Sequence, residues 1–191
     1  MSELAPRQAL QQRVAAAILD GAARMFALHG EQASMNDVAA AAGVARATVY
    51  RYFPNRQALF DELAEAAVGD AEARLASARI DEVAPDEGIA RAVRALVDVG
   101  ESFVLLARQR VRSDPERYER GIIQPLRGLF ERGQGSGDIR DDLASARLTE
   151  SLIGLIAGVL TSTPPLGKED VIATITGLFL DGARARGPRP V

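Results

Sequence analysis

Arg46, Thr48, Tyr50, Arg51 and Tyr52 crowd into one short stretch of the chain, and Arg56 follows just beyond it. A guanidinium can fork onto a guanine edge, a threonine can meet a thymine methyl or a phosphate, and a tyrosine can bond phosphate through its hydroxyl while its ring packs. Val49 and Phe53 are four apart, so on a helix they share one face, and Arg46, Thr48, Arg51 and Tyr52 cannot all be buried beside them. The outward face, with the small Ala47 on it, therefore offers the chemistry of contact with a DNA groove. Arg46 is expected to meet base edges and Arg56 to meet phosphate.

The neighbouring residues supply the frame for that face. Ser34 followed by Asp37 is a capping-box spacing, which starts a helix at Ser34; its hydroxyl is also a candidate phosphate donor. Met35, Val38, Ala39 and Ala42 give this helix one apolar face. Gly43 supplies the positive φ that ends it and turns the chain, with Val44 plugging the corner. A second short helix then runs until Pro54 closes it, because proline donates no hydrogen bond and pushes its predecessor out of the α region. Two short helices across a tight turn, the second carrying the polar face, make a helix-turn-helix.

The block GVARATVYRYFPNRQALF resembles the TetR/AcrR-type transcriptional regulators. Their pattern is a glycine turn, small and polar residues, then Thr-hydrophobic-Tyr-x-aromatic-Phe-x-x-Lys/Arg-x-x-Leu, onto which Thr48, Val49, Tyr50, Tyr52, Phe53, Arg56, Leu59 and Phe60 fall. Two positions depart from it. Ala45 stands where serine is common, leaving the second helix without an N-cap oxygen, a loss of about 1 kcal/mol, and Arg56 stands where lysine is usual. The resemblance covers roughly residues 10–65. It implies a homodimer on a near-palindromic operator in double-stranded DNA, with two recognition helices one DNA turn, roughly 34–36 Å, apart. It also implies release by a small, largely apolar effector, hence a repressor in the cytoplasm, with no cofactor and no enzymatic activity.

The composition fits this expectation. Of 191 residues, 47% are apolar and 26% charged, the balance of a folded protein. There is no cysteine, which excludes disulfides, thiolate metal sites and cysteine nucleophiles. Met1 to Gln12 is polar and lacks the hydrophobic segment of a signal peptide. The longest apolar run, Leu152 to Leu160, is about half of what a bilayer requires. The net charge is −3, but residues 1–60 hold six arginines against four acids, and the rest 17 basic against 22 acidic groups. A basic amino-terminal module on an acidic body suits DNA binding.

No strand signal and no internal repeat interrupt the chain, so an all-α architecture of about nine helices is expected. The amino-terminal domain, residues 1–55, should hold three helices, and residues 56–191 should form a helical ligand-binding and dimerisation domain. The first helix should run from near Ala9 to Leu28 and end at Gly30, after a loose arm whose Arg7 is read as part of a solvated terminus, with a phosphate contact as the alternative. His29, the only histidine, sits at that helix end without partners for a metal or catalytic site. Asn55 caps a fourth helix that ends near Arg79 and links the reading head to the body.

A long helix is expected from about Asp86 to Arg112, its far end carrying Arg108, Arg110 and Arg112. Asp114-Pro115-Glu116 starts another. Pro125 should break the run, leaving a short helix followed by another from about Gln124 to Arg132, and Gly133 to Gly137 should be a loop. Asp141 should cap the next helix, and a last one should run from about Lys168 to Arg184. Phe103, Gln109, Tyr118, Gln124 and Thr149 are the candidate pocket residues, because they combine apolar contact with hydrogen bonding. The last two helices are apolar enough to need a partner surface, and Leu152, Leu155, Ile156, Val159, Ile175 and Phe179 are the candidate dimer interface.

Two other functions compete. A helical enzyme would draw on the adjacent acids Asp61-Glu62, Asp81-Glu82, Asp141-Asp142 and Glu169-Asp170, but each lies near a helix start, where capping or the helix dipole accounts for it. A helical ligand-binding or interaction protein without specific DNA binding is the closer rival, and the Thr48–Arg56 block argues against it.

Overall fold

A computed structural model describes residues 4–109 and 114–185, apart from the side chains of residues 4–8, Glu31, Leu106, Arg108 and Gln109. Arg7, Gln109 and the Arg108, Arg110, Arg112 cluster thus lie outside the described side chains. Every regular element among the described residues is helical, as the periodicity predicts, and the backbone divides into two compact units meeting in sequence at Ala66 and Ala67.

The first unit holds α1 (Leu4–His29), α2 (Met35–Ala41), α3 (Arg46–Tyr52) and the start of α4 (Arg56–Ala78). Gly30, at φ 56°, ends α1 and opens a single 3-10 turn, Gly30–Gln32. Ile18, Ala22 and Phe26 of α1 are buried with Val38, Val49, Phe53 and Leu59, one residue set from each of the four helices and their junctions. Phe26 and Phe60 pack with ring centroids 5.8 Å apart. Leu10, four residues before Val14 on α1, is 61% exposed. Gly21 makes the packing of α1 on α2 possible: a Cβ there would lie 2.9 Å from the Ala42 nitrogen.

The second unit holds the rest of α4, then α5 (Pro85–Val97), α6 (Glu101–Gln109), α7 (Pro115–Tyr118), a π-helical turn (Glu119–Ile123), α8 (Gln124–Ser136), α9 (Ser145–Leu160) and α10 (Lys168–Ala183). Leu96, Phe103, Leu126, Leu129, Phe130, Leu152, Ile156 and Ile175 are fully buried in it. The start of α10 is tied to α5 by ion pairs, Arg94 to Glu169 through two 2.9 Å hydrogen bonds and Lys168 to Asp98 at 2.6 Å.

Three expectations for this unit are corrected and one is refined. The helix expected over Asp86 to Arg112 is two helices, because Gly100 takes φ 69°, a left-handed conformation that no α-helix can contain. Pro125 opens a second helix where expected, α8 from Gln124 after the short α7, but no gap separates the two: a π turn, Glu119–Ile123, joins them directly. Residues 133–136 are helical rather than loop, with only Gly137 left-handed at φ 78°. Gly133 is there for closeness, since an added Cβ would collide with Ile139. Finally, Ala144 rather than Asp141 precedes α9; Asp141 is exposed, and Arg140 grips Asp142 through two 2.6 Å bonds.

Candidate nucleic-acid interface and ligand cleft

The capping box forms as the spacing demands. Ser34 N–H donates to Asp37 Oδ2 at 2.9 Å, and Ser34 Oγ accepts from the Asp37 N–H at 3.3 Å. The Ser34 hydroxyl also donates to Asp37 Oδ2 at 2.7 Å, so its one proton is already committed within the cap. Hydrogen bonds from Ser34, first from its side chain and then from its backbone, hold the Asp37 carboxyl below its ordinary pKa. At the other end of α2, Val44 N–H reaches Ala39 O at 3.0 Å and Gly43 N–H reaches Ala40 O at 3.2 Å, with Gly43 at φ 66°. That pair of bonds is a Schellman ending. Arg24 adds a third constraint, donating from Nη2 to Ala41 O at 2.9 Å.

This fixed turn delivers α3. Val49 is fully buried and Phe53 nearly so, and they hold the helix down by one face. Arg46, Ala47, Tyr50 and Arg51 are exposed, while Thr48 and Tyr52 are half-buried. Tyr50 is 38% exposed, so its ring is a surface group rather than core. Arg46 lies over that ring at 5.3 Å and donates to its hydroxyl at 3.4 Å, and Arg51 lies over the Tyr52 ring at 5.5 Å. Both arginines thus rest on aromatic faces, a weak hold of about 0.5–1 kcal/mol at an exposed site. Ala45, at the N-cap of α3, makes no side-chain cap bond, as its residue type requires.

Arg56 is held by contacts within the first unit. Its Nε donates to Ala33 O at 3.3 Å and its Nη2 to Gly30 O at 3.2 Å, and the guanidinium lies 4.8 Å from the Phe26 ring centroid. It is half-buried, and it fastens the α1–α2 connection from inside the unit. The Ser34 hydroxyl likewise gives its proton to Asp37.

In the second unit, a cleft of about 440 Å³ opens among α6, α7, the π turn, α8 and α9. Tyr118 and Thr149, two of the candidate pocket residues, line it. Phe103 is fully buried core, and Gln124 is exposed away from the lining. Glu119, Ile123, Arg127, Glu150 and Ile153 also line the cleft, and sequence reasoning missed them. Their one advance signal was Pro125, whose position inside a helical pattern marks an irregular turn. A second groove, of about 560 Å³, lies between α4 and α5, with Arg74, Arg91 and Arg94 on its walls.

The candidate dimer residues divide by burial. Leu152, Ile156, Ile175 and Phe179 are buried within the chain, so they cannot also be its outer face. Leu155 and Val159 are half-buried. Leu178 of α10 is 61% exposed, and Gly158 of α9 and Gly177 and Gly182 of α10 are exposed with nothing near their missing Cβ, whereas Gly154 of α9 lines the cleft.

Residues 18–63 match the family described as bacterial regulatory proteins, tetR family. The chain is 27% identical over 176 residues to the uncharacterized HTH-type transcriptional regulator YhgD of Bacillus subtilis (strain 168), covering 85% of this chain and 90% of that one. It is 39% identical over 95 residues to the HTH-type transcriptional repressor LfrR of Mycolicibacterium smegmatis, an alignment spanning 47% of each. Among solved structures, LfrR from Mycobacterium smegmatis superposes with a TM-score of 0.70 at 23% identity, over 91% of this chain and 98% of that one. The ketosteroid transcriptional regulator KstR2 of Mycobacterium tuberculosis does so with a TM-score of 0.70 at 21% identity, over 90% and 95%. Residues 18–63 thus carry the helix-turn-helix module of the tetR family of bacterial regulatory proteins, and the chain as a whole shares the fold of the TetR-like regulator LfrR.

Proposed function

We propose that the protein is a transcriptional regulator, a repressor in the cytoplasm, that binds a near-palindromic operator as a homodimer and leaves it when a small, largely apolar effector binds. The observation that carries this reading is the exposed face of α3. Arg46, Ala47, Tyr50 and Arg51 stand clear of the first unit, while Val49 and Phe53 anchor the opposite side. Arg46 and Arg51 read base edges, and Thr48, Tyr50 and Tyr52 meet phosphate or thymine methyls.

The effector site in this reading is the 440 Å³ cleft. Its volume lies in the range of small-molecule pockets, and it mixes apolar walls with a few polar groups. The route to DNA is α4, which begins in the first unit at Arg56 and continues into the second to Ala78. Within the second unit, Arg117 of α7 donates from Nε to Glu72 of α4 at 3.0 Å. Gly69 and Gly121 keep that junction close: a Cβ on Gly69 would lie 3.1 Å from Arg117, and one on Gly121 would lie 3.1 Å from Glu72. The same α7 and π turn form a wall of the cleft. A ligand that displaces this wall acts on α4, and it shifts operator binding only by its differential affinity for the two states.

The relatives support the reading. LfrR is named a transcriptional repressor, and structures of similar fold are described as LfrR in complex with proflavine and AibR in complex with isovaleryl coenzyme A and operator DNA. Among the described residues no helix is long and apolar enough to cross a membrane, and no cluster of metal-ligating side chains occurs. We read the chain as non-enzymatic because the relatives are regulators.

Selection of bound duplexes from a random pool tests the proposal. The expected product is a near-palindrome with half-sites one helical turn apart. Recovery of no enriched sequence, or of an isolated half-site held by a monomer, would reject it.

A further inference from the structure

We propose that Tyr50 sets the base preference of Arg46: its ring and hydroxyl hold the guanidinium in one orientation, so that Arg46 discriminates guanine from the other bases better than an unsupported arginine does. The inference rests on the reading of α3 as the recognition helix with Arg46 at base edges, and it gives Tyr50 a positioning part in recognition, separate from any contact of its own with DNA.

The helix builds this pair in. Helical side chains lean back over the preceding turn, so a residue covers the one four positions before it. Tyr50 stands four residues after Arg46; the guanidinium carbon lies 5.3 Å from its ring centroid, and Nη2 donates to its hydroxyl at 3.4 Å. Both residues are exposed, while Val49 between them is fully buried. Arg51 over Tyr52, at 5.5 Å, is the second such contact on α3, but these two are adjacent, and adjacent helical residues point apart. That contact follows from the length of arginine, whereas the Arg46–Tyr50 contact follows from the helix itself.

Arg46 has little else to hold it. Its chain neighbours are Ala45 and Ala47, whose side chains offer no polar group, and among the described residues no carboxylate pairs with it. One donor goes to Tyr50, and a guanidinium keeps enough N–H groups to fork onto the O6 and N7 edge of guanine. An arginine free to swing also finds phosphates, which carry no sequence information, and it gives up side-chain freedom when it settles on a base. Held on a ring, it has given up part of that freedom beforehand, and the gain falls on the base that matches the held geometry.

The test is a double-mutant cycle read by operator sequence. Fluorescence anisotropy on the full-length protein measures affinity for the selected operator and for duplexes carrying each single base-pair change, using the unaltered protein, Arg46→Ala, Tyr50→Leu, Tyr50→Phe and the Arg46→Ala, Tyr50→Leu double variant. Arg46→Ala marks the base pair that Arg46 reads, as the position where preference flattens. Tyr50→Leu should lower the guanine preference at that same position by about two- to fivefold, the factor that a cation–π hold at an exposed site is worth, and should lower it no further once Arg46 is alanine. Tyr50→Phe, which keeps the ring, should retain most of that preference. A lost contact between Tyr50 and phosphate weakens all duplexes alike and cancels from the ratio. A lost contact with a thymine methyl shows at another base pair or persists in the Arg46→Ala background. Tyr50→Gln, a second variant without a ring, replaces Tyr50→Leu in the cycle if the leucine variant folds poorly. An unchanged guanine preference without the ring, an equal loss with and without Arg46, or a Tyr50→Phe as poor as Tyr50→Leu overturns the inference. An Arg46→Ala variant that flattens no position overturns the base-reading assignment of Arg46 and the inference with it, a result distinct from the other three.

Discussion

Arg56 shows how a residue can be legible in identity while its contacts are not. Its place in the family pattern is plain from sequence, but its hydrogen bonds to the carbonyls of Gly30 and Ala33, over twenty positions back, leave no trace in local spacing. Arg56→Ala should therefore destabilise the protein by about 1–3 kcal/mol in urea unfolding. The salt slope of operator binding, which counts phosphate contacts, should stay that of the unaltered protein. A flattened slope at full stability would return Arg56 to the DNA surface. Ser34 was legible in both identity and geometry, because a capping box is a local motif. The Asp37 carboxyl is held below its ordinary range, so the stability it contributes is complete above that range and lost as pH falls through the lowered value. Ser34→Ala should thus be less stable than the parent at neutral pH, and the gap should close on acid titration. A gap independent of pH would show that the carboxylate contributes nothing.

At the scale of elements, local signals worked where one residue type decides an ending. Gly30, Gly43, Pro54 and the Asp114-Pro115 pair set helix limits where expected. The misses came where tertiary packing chose between conformations that a glycine or proline permits equally. Gly100 reads as part of an apolar helical pattern but turns left-handed, whereas Gly133 reads as loop but is helical because Ile139 presses against it. Gly21 carries no sequence signal at all, since glycine inside a helix looks like a defect. Its reason is the approach of Ala42, and Gly21→Ala should cost about 1–3 kcal/mol by overpacking, although alanine is the better helix former. A more stable variant in thermal unfolding would show that α1 and α2 are free to separate.

For the whole molecule, the apolar richness of the last two helices was visible, but not which side of each helix turns inward. Leu152, Ile156, Ile175 and Phe179 belong to the chain's own core, leaving exposed Leu178 as the large apolar side chain of these two helices that a second copy would cover. Leu178→Arg should leave the fold and urea midpoint of the single chain nearly unchanged, while sedimentation shifts from dimer to monomer and operator affinity falls by about a hundredfold or more, as expected when two linked half-site contacts become one. A dimer that survives the arginine would place the interface elsewhere. The aromatic side chains carry a practical consequence of their own. The protein has no tryptophan and only three tyrosines, Tyr50 and Tyr52 under arginines on α3 and Tyr118 on the cleft wall. Its tyrosine emission, excited at wavelengths where phenylalanine does not absorb, therefore originates from the two surfaces of interest, so unlabelled protein carries its own optical reporters, and phenylalanine replacement of one ring at a time would separate their signals.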